Sequence, residues 1–211
     1  MATIHPPIST IHPTSAGTYR ERDVLILLEQ GLPKGFDVFH SVEWSAMHDG
    51  DQGFGEFDAV VVAPTGHLVL LEVKAGQVVA RAQGLVKFYS DSGANPKDVE
   101  HQARRQHSAM MDRLSKSGLH EIHVSQLLVL ADQVIDKGTI TYPRERIVDA
   151  TQLDSLCSLV KDAIPRNSLA DPLRVHVLDF LANRFKLHPD MATHIGQIHR
   201  ANIQLAEGLA T

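Results

Sequence analysis

The chain has a single cysteine, Cys157, in 211 residues. An internal disulfide is excluded, and a reducing, cytoplasmic setting is the expectation. Cys157 lies in an apolar helical pattern and reads as a core residue. No apolar run approaches the ~20 residues that span a bilayer. Residues 1–18 lack the basic and apolar regions of a secretory signal, so no membrane partner is expected. Positive charge is not in excess either: the formal net charge is −5 and the pI about 6.2. A globally basic nucleic-acid binder is thereby excluded, and any phosphate contact must come from local patches and a cation. The 13 histidines include no HExxH and no Cys/His zinc spacing. His120 and His123 form an HxxH, but they begin a strand pattern whose alternation sends the rings to opposite faces. Asp49 and Asp51 suggest calcium, yet no glutamate completes an EF-hand loop. Neither a Gly-rich phosphate loop nor a nucleophile elbow is present, which leaves a small-molecule α/β enzyme without a motif.

What is present is an ordinary globular composition, 43% hydrophobic and 21% charged, enough for one good core with an appendage or for two small domains. The organising stretch is GEFDAVVVAPTGHLVLLEVK, residues 55–74. Two apolar runs flank Pro64-Thr65-Gly66, a three-residue hairpin loop in which Gly66 takes the left-handed conformation. Both faces are apolar, as in a central sheet covered on both sides. If Ala63 faces His67, then Asp58 faces Glu72 and Glu56 faces Lys74, with all four of these charged side chains on one face. Carboxylates crowded at the end of an apolar hairpin repel one another unless a cation or Lys74 compensates them. A divalent cation held by Asp58 and Glu72 is one reading, and a structural ion-pair cluster is the other.

Around this hairpin the pattern predicts a helix over residues 19–30, capped by Ser15 or Thr18, on which Glu21 shares a stripe with Val24, Leu25 and Leu28. That glutamate is either a first-turn acid favoured by the helix dipole or a functional group. A strand follows over residues 36–44, then a polar loop over 48–54. After Lys74 a short hairpin around Gln83-Gly84 extends the sheet, and 90–96 is loop. A helix over 97–117 presents Val99, Gln102, Ala103, Gln106, Met110 and Leu114 on one stripe. Its two amides need partners, because an unpaired buried amide costs about 1–3 kcal/mol. Strands over 122–130 and 146–148 and a helix over 151–160 complete the core. Asp171-Pro172 starts another helix, and a last one covers 190–206.

Asp58, thirteen residues, and Glu72-Val73-Lys74 resemble the D…ExK signature of the PD-(D/E)xK nuclease superfamily. Within it, the GEFD and LEVKAG segments most resemble the NERD (nuclease-related) domain, from Tyr19 into the helix after Asn95 with a weaker echo to Ala150. Phe57 stands where the usual proline precedes the aspartate. The resemblance implies an α/β fold with a restriction-endonuclease-like core, a central mixed sheet flanked by helices. Residues 1–17 are then an irregular arm, 18–165 the nuclease domain and 166–211 a C-terminal helical appendage. It implies metal ligation by Asp58, Glu72 and Glu21, with Mg²⁺ or Mn²⁺ as cofactor. Lys74 would position the attacking water, and Gln102, with Gln106 as second choice, would face the catalytic centre after Asn95-Pro96. Glu56 is either an outer acid or a partner for Lys74. The implied function is hydrolysis of phosphodiester bonds in a nucleic acid, DNA above all, in processing or repair. The other expectation is a catalytically inactive nuclease-fold module for nucleic-acid or protein interaction. NERD-like domains are often joined to helicase or kinase modules, so a further module is an expected partner if the chain is a fragment.

Overall fold

The computed structural model describes residues 1–48, 51–81, 84–87 and 97–185. In chain order the strands are β1 (Thr3–His5), β2 (Asp37–His48), β3 (Asp51–Val62), β4 (Leu68–Lys74), β5 (Val78–Arg81), β6 (Gly84–Lys87), β7 (Lys97–Asp98), β8 (Val124–Leu130) and β9 (Ile147–Asp149). The helices are α1 (Ala16–Gly31), α2 (Val99–Lys116), α3 (Leu156–Asp162) and α4 (Asp171–Phe185). A six-stranded sheet runs in the order β1-β2-β3-β4-β8-β9. Strands β2, β3 and β4 form an antiparallel meander, whereas β1 lies parallel to β2, β8 to β4 and β9 to β8. The sheet is therefore mixed, and α2 lies in the crossover that a parallel β4–β8 pair requires.

Strand β4 is central, and its two faces explain its continuous apolar sequence. Val69, Leu71 and Val73, with Val61 and Val129, meet Val24, Leu25 and Leu28 of α1 and Leu156 and Val160 of α3. On the other face Leu68 and Leu70, with Val60 and Val62, meet Ala109, Met110 and Leu114 of α2 and Val177 and Leu181 of α4. Each such fully buried aliphatic side chain contributes about 1.5–3 kcal/mol. At the turn, the Ala63 N–H reaches the His67 carbonyl and the Gly66 N–H the Ala63 carbonyl, both at 2.9 Å. Gly66 has φ +88°, the conformation its place in the loop requires.

Helix α1 starts earlier than residue 19. Ser15 caps it, accepting from the Thr18 N–H, while the Thr18 hydroxyl accepts from the Ser15 N–H, a reciprocal pair that satisfies two orphan donors. Helix α4 is tied to the sheet by Arg174, which donates to the Gly35 carbonyl at 2.8 Å and to Asp37 at 2.6 Å. None of the described helices is long and apolar enough to cross a membrane.

Three segments differ from expectation. Residues 3–5 of the arm pair with β2, because Ile4 is buried in the α1-side core. Residues 51–54 are strand rather than loop, held in register by β2 from Met47↔Gln52 to Ser45↔Phe54; pairing overrides their polar composition. The β5–β6 hairpin does not extend the central sheet but joins β7 in a separate three-stranded one. Its place is fixed from α2, where the buried Glu100 carboxylate accepts from the Leu85 N–H at 3.2 Å. The loop expected at 90–96 and the helix expected at 190–206 lie outside the described residues, as do residues 49–50.

Candidate active site

The β3–β4 ladder pairs Val62 with Leu68 through to Ala59 with Leu71, and there it ends. In continued register Val73 would sit opposite Phe57. Instead the Val73 N–H donates to the Asp58 carboxylate at 2.6 Å. On its other side β3 stays in register with β2, His40 with Ala59 and Val42 with Phe57, but Ser41 and Asp58 between them are not paired. Ser41 has φ +57°, a left-handed conformation that a non-glycine residue adopts at a cost of about 1–3 kcal/mol. The break inverts the alternation of both strands. Phe39 and Val42, three residues apart, pack on the same α2-side core, and so do Val60 and Phe57. Asp58 therefore sits where the sheet is kinked.

Glu72 lies two residues past the last β3–β4 pair, still paired with Leu128 of β8, and its side chain is 1% exposed. Such a buried charge persists only with strong donors, and three side chains supply them. Gln106 donates to one carboxylate oxygen at 2.6 Å, Gln102 to the other at 2.8 Å, and the Lys74 ammonium bonds that second oxygen as well. The two glutamines stand four residues apart on one stripe of α2, so both reach the strand end. Gln106 also donates to the Glu56 carbonyl at 3.0 Å, and the Gln102 carbonyl accepts from Lys74 at 3.5 Å. Asp58 is served far less well. Its carboxyl is held well above the usual carboxylate range, first by burial and then by the Glu72 charge; Lys74 opposes this, Glu21 adds to it, and the Val73 N–H opposes it. Glu21, on α1 across the sheet, is itself held by His40 of β2, Nε2 to Oε2 at 3.2 Å.

The family model for the nuclease-related domain, NERD, matches residues 16–131, more than half of the chain. The chain belongs to the NERD family. Comparison with curated proteins and comparison with solved structures each give no match. The NERD match opens on the first residue of α1 and closes just past β8, and all the acidic-cluster residues named so far fall inside it.

Of the residues singled out in the sequence, the NERD domain brings Asp58, Glu72, Lys74, Gln102 and Gln106 together, with Glu21 within electrostatic reach of Asp58. Glu56 does not join them as expected. The ladder stops before it, and the inverted alternation leaves its side chain exposed, so only its carbonyl takes part. Three residues escaped the sequence reading. His40 gave a faint signal, a polar residue alternating with Val38 and Val42. Ser41 gave none, since nothing in a serine announces positive φ. Tyr142 lies between the strand patterns at 122–130 and 146–148 and outside both, yet it is 1% exposed, and its hydroxyl has no hydrogen-bond partner among the described residues. Burial, then the charges of Glu72, Asp58 and Glu100, hold its phenol well above the usual range.

Among the described residues no three His, Cys, Asp or Glu side chains stand together as ready-made metal ligands. The pair Asp58 and Glu72 nonetheless has the right chemistry for Mg²⁺ or Mn²⁺: hard carboxylate oxygens, one of them on a desolvated acid crowded by its neighbours' charge. Mg²⁺ takes one or two carboxylates and fills its remaining positions with water and substrate.

Proposed function

We propose that this NERD protein is a metal-dependent nuclease that hydrolyses phosphodiester bonds in DNA, in processing or repair. The observation that carries the reading is the convergence of Glu72, Lys74 and Asp58 on a broken hairpin end, where acid is in surplus and Lys74 and the Val73 N–H compensate Asp58 only in part. Asp58 and Glu72 would hold the cation, with Glu21 assisting directly or through water. When bound, the cation polarises the scissile phosphate and lowers the pKa of its water. Lys74 orients the attacking water and stabilises the negative charge that develops on phosphorus-bound oxygen as the new P–O bond forms and the old one breaks. Gln102 and Gln106 hold Glu72 in one rotamer, and Gln102 steadies Lys74.

One observation favours the other reading, an inactive nuclease-fold module. Both oxygens of Glu72 already carry donors, so ligation by Glu72 requires Lys74 or a glutamine to yield. Calorimetric titration with Mn²⁺ beside a nicking assay on duplex DNA separates the two. Asp58→Ala should lose metal affinity and cleavage together. Lys74→Ala should keep or tighten metal binding, because a nearby positive charge is gone, while cleavage falls about 10²–10³-fold. Wild-type protein that binds no divalent ion and cuts nothing returns the inactive module.

A further inference from the structure

A cavity of about 360 Å³ lies apart from the acidic cluster, many times the ~30 Å³ share of one water and within the range of small-molecule sites. Ile122, Val124 and Gln126 form its buried side, His107 and Met111 come from α2, and His123 and Arg146 complete it. Val124 and Gln126 pair with Leu68 and Leu70, whereas Glu72 pairs with Leu128, so the cavity belongs to the other half of β8.

Its chemistry is opposite to that of the acidic cluster. Among the described residues no carboxylate lines it, in a chain of net charge −5. Arg146 is exposed, and among the described residues its guanidinium has no carboxylate partner. The hydrogen bonds assign the imidazole protons. His107 Nε2 is 3.2 Å from the Val124 carbonyl, which only accepts, so that nitrogen donates. His123 Nε2 is 3.0 Å from the Ser125 hydroxyl, whose own proton goes to the Ala163 carbonyl at 2.6 Å, so Nε2 donates there too. Each ring keeps Nδ1 uncommitted among the described residues. The neighbouring His67 differs: its Nε2 donates to the Asn167 carbonyl and its Nδ1 accepts the His123 N–H, which fixes it neutral. Two imidazoles, each with an uncommitted Nδ1, and one guanidinium thus stand beside an apolar wall. Burial first, then the neighbouring His67, Arg146 and His107, hold His123 below the usual histidine range, a shift that a bound anion would oppose.

We propose that this cavity binds a nucleotide, its phosphate on Arg146 and the Nδ1 atoms of His107 and His123, its base or sugar against Met111, Ile122 and Val124. The choice of a nucleotide over another phosphate ester rests on the nuclease reading; the anion site itself does not. A free mononucleotide and the terminal nucleotide of a strand share this chemistry. The test is calorimetry on the full chain in EDTA with inorganic phosphate, thymidine 5′-monophosphate and a 5′-phosphorylated oligo-dT. The mononucleotide or the oligonucleotide should bind more tightly than inorganic phosphate. Arg146→Gln and Met111→Glu, folded by circular dichroism, should each weaken binding about tenfold or more. Tighter oligonucleotide binding places a strand end in the cavity, and tighter mononucleotide binding places a free nucleotide there; both sustain the proposal. Asp58→Asn should abolish cleavage yet bind nucleotide as wild type does. A wild type that cuts nothing but keeps this binding pattern removes the nuclease reading alone. Absence of nucleotide binding, equal affinity for inorganic phosphate, or binding undiminished in both cavity variants would overturn the proposal.

Discussion

At its turn, the β3–β4 hairpin holds Val60, Val62, Leu68 and Leu70 in an unbroken ladder, each 1% exposed or less. At its open end the same strands carry Asp58, Glu72 and Lys74, and the ladder is gone. The turn end is specified by apolar pattern and backbone pairing, which act locally and in register. The open end is specified by side chains from elsewhere: two glutamines from α2, and a glutamate from α1 held by a histidine of β2. One hairpin thus divides stability from chemistry along its length.

That division can be tested from the largest effect downward. Leu70→Ala at the turn end should lower unfolding free energy by about 2–5 kcal/mol, read from urea denaturation, while cleavage per folded molecule stays at the wild-type level. Gln106→Leu at the open end should cost less, about 2 kcal/mol, by leaving one Glu72 oxygen without its donor, and unlike Leu70→Ala it should also lower cleavage. A loss as large as that of Leu70→Ala would show that the open end carries the fold as well.

Asp58→Asn should act with the opposite sign. The folded carboxyl titrates well above the usual range, so its contribution to stability is complete below about pH 4 and is lost as pH rises through the folded value. The amide keeps an acceptor for Val73 and removes that loss. In metal-free protein the variant should melt higher than wild type at pH 8 and no higher at pH 4; equal melting at both would mean that Asp58 is not disfavoured as an anion. Smallest of all, Ser41→Gly should change stability by no more than about 1 kcal/mol, since relief of positive φ is offset by glycine's larger unfolded-state freedom. A loss well beyond that would show the serine hydroxyl, 3.2 Å from the His40 ring, to be a needed contact.

The same division marks what the sequence discloses. The turn, the central strand with both faces covered, α4 from its Asp-Pro start, and the face of α2 bearing Gln102 and Gln106 are all periodic or carry local turn chemistry, so they can be read directly. The kink at Ser41 and Asp58 is not periodic. It is imposed by two neighbouring strands at once, and it is why counting register misplaced Glu56. The short β1 was hidden because three residues are too few for a pattern. The second sheet was hidden because its partner strand, β7, has only two residues and is nine residues removed from β6 in the sequence. His40 and Tyr142 matter through what approaches them in space, which no spacing encodes.

The bond from the Val73 N–H to the Asp58 carboxylate gives the site its own spectroscopic gauge. In an intact ladder this proton would face a carbonyl, whose charge does not vary with conditions. Here its acceptor gains or loses a full charge when the acid ionises, and on the proposed function it would change again if a cation drew on the same oxygens. The Val73 amide resonance should therefore shift with both events while Val69, inside the intact pairing, stays nearly still. The occupancy of the site is legible from the main chain, without substrate and without a label.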